Sequence, residues 1–293
     1  MNFKKAIESK NFIITAEIAP PKGTDIDPAL NEAASIQDLV DGINVTDNQR
    51  AVMRLSPIAL CARLVEKKIS PIMQMTCRDR NRIALQADLL SAAVLGIENV
   101  LILTGDSINA GDHIDAKEVF DLDSISLLET AAGLNKGIDM HNRPLSGKTD
   151  FMLGAAINPG AEPKELQVIQ TAKKISAGAR FFQTQLVFDI DDFKGFLSLA
   201  NQLPLKTVKI LAGIFPLKSA KQARFLNEKV AGVKIPEPII KRLDKASNPI
   251  DEGLAIASDL IGDLKHLCNG VHIMAMNNKE TLIKLLSSVQ SMR

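Results

Sequence analysis

The chain has no tryptophan and no tyrosine, and its aromatic side chains are eleven phenylalanines. Stacking on a ring-shaped ligand would therefore fall to Phe or to aliphatic side chains. Its three cysteines, Cys61, Cys77 and Cys268, are far apart and form no C-x-x-C pair. They indicate neither a disulfide framework nor a zinc site. No apolar run approaches the roughly 20 residues of a membrane span, and Met1-Asn2-Phe3-Lys4-Lys5 lacks the long apolar segment of a signal peptide. Charge of one sign is missing as well. Thirty-five basic against 34 acidic residues leave a net charge of +1, and without a basic run nucleic acid is not an expected partner. Together these absences predict a reduced, cytoplasmic protein with no membrane span.

What is present is an ordinary globular composition, 46% hydrophobic and 24% charged over 293 residues, enough to bury a large core. Eight apolar, β-rich runs recur, at Phe12–Glu17, Gly42–Thr46, Ile72–Thr76, Asn99–Leu103, Phe151–Ala156, Phe181–Val187, Val208–Gly213 and Val271–Met276. Between them, stretches such as Arg82–Leu95 and Glu165–Ala177 carry apolar residues at three- and four-residue spacing. Asp79 and Asn81 precede the first of these as helix-start signals. Strands too apolar to be half exposed, each followed by helical sequence, predict a single (β/α)8 barrel over residues 1–293. A doubly wound open sheet is the alternative, but such sheets often open on a glycine-rich turn and no G-x-G-x-x-G occurs. The longest irregular stretches, Ser107–Asp123 and Gly133–Thr149, flank the helix before the fifth strand and are expected to cover a site.

Chemistry in this fold sits at the C-terminal strand ends. Glu17 stands where the first apolar run meets Pro20-Pro21 and Gly23, residues that end strand and helix alike. A carboxyl held half out of water there is expected to have a raised pKa suited to proton donation. A strand-end glutamate facing solvent or a lysine is the simpler alternative. The other ends supply Thr46-Asp47-Asn48, Gln74, Thr76 and Arg78, Thr104-Gly105-Asp106, Ala155-Ala156 with Asn158, Gln183 and Gln185, and Asn277-Asn278. Such a mouth suits a flat, heteroatom-rich ligand. Asp106 follows a glycine that admits close approach of a ligand, or it caps the next segment. Gly147-Lys148-Thr149 resembles the end of a phosphate-binding loop, but residue 142 is Asn where that loop requires Gly. Lys174 either meets a phosphate or covers a solvated helix face. His113 and His141 lie in the long loops, and His266 and His272 bracket the last strand, with structural rather than metal-binding roles expected. Cys77 reads as a buried, inert thiol.

In order, Ala16-Glu17-Ile18-Ala19-Pro20-Pro21, Val45-Thr46, Met75-Thr76-Cys77, Thr104-Gly105-Asp106, Gly154-Ala155-Ala156, Ala177-Gly178-Ala179 with Thr184-Gln185, and Gly213-Ile214-Phe215-Pro216 resemble the strand-end motifs of the methylenetetrahydrofolate reductase family. The likeness runs along nearly the whole chain. It implies a flavin-containing barrel that reduces 5,10-methylenetetrahydrofolate to 5-methyltetrahydrofolate, with Glu17 as general acid and Asp106 near flavin and pterin. By the same resemblance Thr46, Gln74, Asp106, Ala155, Ala156 and Lys174 bind the flavin, FAD or alternatively FMN. Glu17, Asp106, Gln185 and Gln222 contact the folate. The chain departs from the family pattern at Gln74 (a histidine in relatives), Thr104 (an arginine), Leu226 beside Phe225 (an aromatic) and Ile157-Asn158 (a tyrosine after the paired alanines). The segment Gly105–Leu122 resembles short bacterial reductases of anaerobic one-carbon metabolism. This implies either NAD(P)H or a partner subunit bearing zinc and an iron–sulfur centre as electron source, and a homo-oligomer. The alternatives are a flavin-independent, nicotinamide-dependent reductase and a folate- or flavin-binding subunit that needs a redox partner.

Overall fold

A computed structural model of the chain describes residues 2–274 and 279–290. Eight parallel strands close in sequence order into a barrel. They are β1 (Ile13–Ile18), β2 (Gly42–Val45), β3 (Pro71–Thr76), β4 (Asn99–Leu103), β5 (Met152–Ile157), β6 (Phe181–Leu186), β7 (Lys209–Ile214) and β8 (Gly270–Ile273). The helices among the described residues are α1 (Phe3–Ser9), α2 (Asp27–Ile36), α3 (Pro57–Glu66), α4 (Arg82–Val94), α5 (Ser124–Asn135) and α6 (Lys164–Ser176). They continue with α7 (Ile190–Leu199), α8 (Ala220–Lys229), α9 (Glu237–Lys245), α10 (Pro249–Leu264) and α11 (Lys279–Gln290). The strands are buried on both faces, as expected of a parallel barrel walled by helices. Every run expected to be a strand forms one, shifted by at most a few residues. Met276, Asn277 and Asn278 lie outside the described residues.

Local chemistry explains several boundaries. The side chain of Asn81 accepts from the amides of Ile83 and Ala84 and so caps α4, whereas Asp79 pairs with Arg78 instead. Asp123 caps α5 through the Ser126 amide. Two expectations need correction. Gly133, Leu134 and Asn135 belong to the end of α5 rather than to a loop, because the apolar spacing of that helix runs through them. His272 lies within β8 rather than beside it.

The contacts divide the chain into two compact units. The first comprises residues 1–9, 17–155 and 173–181, and the second 10–16, 156–172 and 182–293. In the first unit, Val45 pairs with Met73 and Thr76 with Leu103. The ends of β3 and β4 are therefore level, while β2 ends opposite Met73, three residues short of the end of β3. The N-terminal side of the same unit is filled by Phe3 of α1, fully buried, with its ring edge-on to Phe181 at 5.0 Å. Gly154 admits that Phe181 ring, since a Cβ there would collide with it. In the second unit, Thr15 Oγ1 lies 3.0 Å from His272 Nδ1 and receives the Gln183 amide at 3.3 Å.

All three cysteines are free, and Cys61 and Cys77 are fully buried. Burial, reinforced by the charge of Asp123, pushes the Cys77 thiol up to about 12 despite the opposing charge of Arg80. Burial alone raises Cys61. With both side chains fully buried and both thiols raised, the thiolate that reacts is scarce, and iodoacetamide is expected to leave Cys77 and Cys61 unmodified until the protein is denatured. Labelling of either at the rate of a free thiol in the folded protein would contradict this. Phe3→Ala is expected to lower the free energy of unfolding by about 3–5 kcal/mol through cavity formation, read by urea titration. A loss below about 1 kcal/mol would show that the ring is not a packing element.

Candidate active site

Four loops of the first unit converge at the C-terminal ends of its strands, and one guanidinium joins three of them. Arg78, 1% exposed, donates twice to Asp79, Nε to Oδ1 at 2.6 Å and Nη2 to Oδ2 at 2.7 Å. Its Nη1 also reaches the Asp106 carbonyl at 3.1 Å, and Nη2 the Asn48 carbonyl at 3.2 Å. Bidentate pairing of this kind fixes geometry as well as charge. Burial by itself would raise the Asp79 carboxyl, but the bonds from Arg78 and Asn48 outweigh it and hold the group below its ordinary value.

Beneath this fork lies a second buried pair. Asp47, 3% exposed, accepts from the Thr76 amide at 2.8 Å, from Thr76 Oγ1 at 3.0 Å and from Arg80. Arg80 also donates to Asp88 at 3.2 Å. Burial opposes the charge on Arg80, and the two carboxylates more than restore it. The mouth is thus lined by charges that already have partners, which keeps their side chains in place.

Glu17 is half-buried at the end of β1 and meets two side-chain amides. Gln49 Nε2 donates to its Oε1 at 3.1 Å, and Gln74 Nε2 lies 3.5 Å from Oε2. Asp106 does not cap the following segment, a role taken by Ser107. Its Oδ2 accepts the Arg50 amide at 3.0 Å. The β2 loop therefore reaches both carboxyls through adjacent residues. The long segment after β4 lies against the same loop. Asp112 accepts from Lys22, from His113 and from the Met53 amide, and the bond from Lys22 leads the effects that hold its carboxyl far below the usual range.

Of the residues expected to meet a flavin, Thr46, Gln74, Asp106, Ala155 and Lys174 belong to this unit. The Thr46 hydroxyl is fully buried and has no hydrogen-bond partner among the described residues, an atom that a bound polar group would satisfy. Lys174 is half-buried on α6. Burial lowers its ammonium, opposed by the charge of Asp123. With the small, buried Ala155, these residues fit a flat ligand that carries acceptors and a phosphate. Ala156, Gln185 and Gln222 belong to the second unit. There, Gln185 Oε1 accepts its neighbour Leu186 amide at 3.1 Å. Gln222 Oε1 accepts the Lys218 amide at 2.9 Å, at a helix start capped by Ser219. Phe225 is exposed on α8.

Sequence reading passed over Gln49 and Arg80. The signal for Gln49 was its place two residues beyond Asp47 in a polar run directly after a strand. Arg80 lies beyond the strand end, where only Arg78 drew notice.

The family model "Methylenetetrahydrofolate reductase" matches residues 2–290. A probable methylenetetrahydrofolate reductase (NADPH) of Caenorhabditis elegans is 22% identical over 75% of this chain and 32% of its own length. The 5,10-methylenetetrahydrofolate reductase of Buchnera aphidicola is 24% identical over 70% of this chain and 66% of its own. The chain thus spans about a third of the first relative and about two thirds of the second. Among solved structures, an uncharacterized protein from Clostridium thermocellum that binds two copies of 5-methyl-5,6,7,8-tetrahydrofolic acid superposes with a TM-score of 0.69. That likeness has 17% identity and covers 99% of this chain and 98% of that one. With a family match over almost its entire length, on a closed eight-stranded barrel, this chain belongs to the methylenetetrahydrofolate reductase family.

Proposed function

We propose that the protein reduces 5,10-methylenetetrahydrofolate to 5-methyltetrahydrofolate, using a bound flavin, FAD or FMN. Family membership supports the reaction class, and the folate-binding structural neighbour agrees with a folate substrate. The observation that carries the reading is the placement of the two expected carboxyls. Glu17 and Asp106 are engaged by Gln49 and the Arg50 amide, successive residues of one loop.

In this reading Glu17 is the general acid. Its O–H bond breaks as an N–H bond forms at folate N10. The adjacent carbon–N10 bond then opens with its electron pair to nitrogen, leaving an iminium at N5 of the substrate. Asp106 faces the developing positive charge and stabilises it electrostatically. Thr46, Gln74, Ala155, Ala156 and Lys174 would hold a flavin, which when bound and reduced would supply the hydride that turns the iminium into a methyl group. Lys174 is the cation for the flavin phosphates, and the Thr46 hydroxyl gains the partner it lacks. Gln185 and Gln222 hold the folate by their side-chain amide nitrogens, since the oxygen of each already accepts a backbone amide. The electrons come from NAD(P)H or from a zinc- and iron–sulfur-bearing partner subunit, and the protein works in the cytoplasm as a homo-oligomer.

Because proton donation is separate from flavin reduction, Glu17→Gln is expected to leave reduction of the flavin by its donor intact. Reoxidation by methylenetetrahydrofolate should fall by at least about a hundredfold, read as two half-reactions by anaerobic stopped flow. Normal folate turnover by this variant would remove Glu17 from the acid role.

A further inference from the structure

The two amides at Glu17 are supported in different ways. Gln74 projects from β3, a buried strand whose register is set on both sides. Gln49 lies in a loop with an unusual backbone. Asn48, Arg50 and Ala51 have φ values of 44°, 57° and 55°, the left-handed region that residues with a Cβ rarely occupy. Strain of this kind persists only where the surroundings over-determine it, and here they do. Arg78 holds the Asn48 carbonyl at 3.2 Å, and Asp79 accepts the Asn48 side-chain N–H at 3.2 Å. Asn48 Oδ1 accepts the Arg54 amide at 2.9 Å, and Asp106 accepts the Arg50 amide at 3.0 Å. Gly111 lies against the Ala51 carbonyl so closely that a Cβ would not fit. The bonds fall on either side of Gln49. The side chain that this clamped, strained backbone delivers is the amide on Glu17.

We propose that Gln49 is a positioning residue for the Glu17 acid, a role that rests on the folate-reduction reading above. An amide suits this task because it can serve both forms of the carboxyl. Its N–H donates to the carboxylate, as seen at 3.1 Å. After a half-turn of the amide its oxygen accepts from the protonated carboxyl. A charged residue at the same place would favour one form only. Gln49 therefore holds the carboxyl in one rotamer while the proton departs to N10 and is later replaced, and Asp106, fixed by the next residue of the loop, keeps its place relative to the acid.

The test is a double-mutant cycle of Gln49→Met, which keeps length and removes both donor and acceptor, with Glu17→Gln. Alone, Gln49→Met is expected to lower kcat for folate reduction by at least about tenfold, with the folate KM within about threefold and flavin reduction by the donor unchanged. In the Glu17→Gln background the same change should alter the residual rate by less than about twofold. The proposal is overturned by a single-variant kcat within about twofold of the parent, or by equal losses in both backgrounds. A raised KM at constant kcat would also overturn it, since Gln49 would then bind substrate rather than position the acid. Melting temperatures of the four proteins, taken without substrate, read the contact independently of turnover. Should the parent turn over no methylenetetrahydrofolate, the reaction reading fails by itself. Non-additive melting shifts would then still uphold the positioning contact, and additive shifts would overturn it.

Discussion

A guanidinium taken out of water must find acceptors for its donors, and the arrangement of the first unit's mouth follows from how Arg78 does so. Its fork takes both oxygens of Asp79 and the carbonyls of Asn48 and Asp106. One buried side chain at the end of β3 thereby fixes the loops after β2 and β4. Its own carbonyl accepts the Val119 amide at 2.8 Å, which ties down the far end of the segment after β4. Since unpaired buried charge is costly, the loops cannot part from Arg78 without large loss. The strained residues around Gln49 are held by the same bonds, so the mouth is organised before any ligand arrives.

The consequence for chemistry is that Glu17 and Asp106, separated by 89 positions of sequence, answer to a single loop. Glu17 takes neutral amides, and Asp106 takes a backbone amide. The strong cations nearby are committed elsewhere, Arg78 to Asp79 and Arg80 to Asp47 and Asp88. In the proposed reaction, the roles of proton donor and charge stabiliser thus fall to two carboxyls joined through one loop.

Much of this was legible in the sequence because barrel strands are short, doubly buried apolar runs that read clearly against their helices. The end of each run names its mouth residues, so Glu17, Thr46, Gln74, Asp106 and Ala155 could be found by counting. Reading failed where neighbours decide. Asp79 and Asn81 carry equal helix-start signals, yet only Asn81 caps α4, because Arg78 claims Asp79. Spacing along α6 gives no sign that Lys174 is half-buried and within the field of Asp123. Gln49 showed only as one member of the polar run after β2, because its importance comes from three left-handed residues that no local propensity foretells and that contacts from Arg78, Asp106 and Gly111 of other loops hold.

The central claim is that this mouth joins a flavin to a folate. Its most direct measurement is an anaerobic visible spectrum of the purified protein before and after addition of 5-methyltetrahydrofolate. The account predicts a flavin band that bleaches as the folate is oxidised. A flavin band that persists would contradict it. So would a protein without a band that also fails to bind added FAD and FMN.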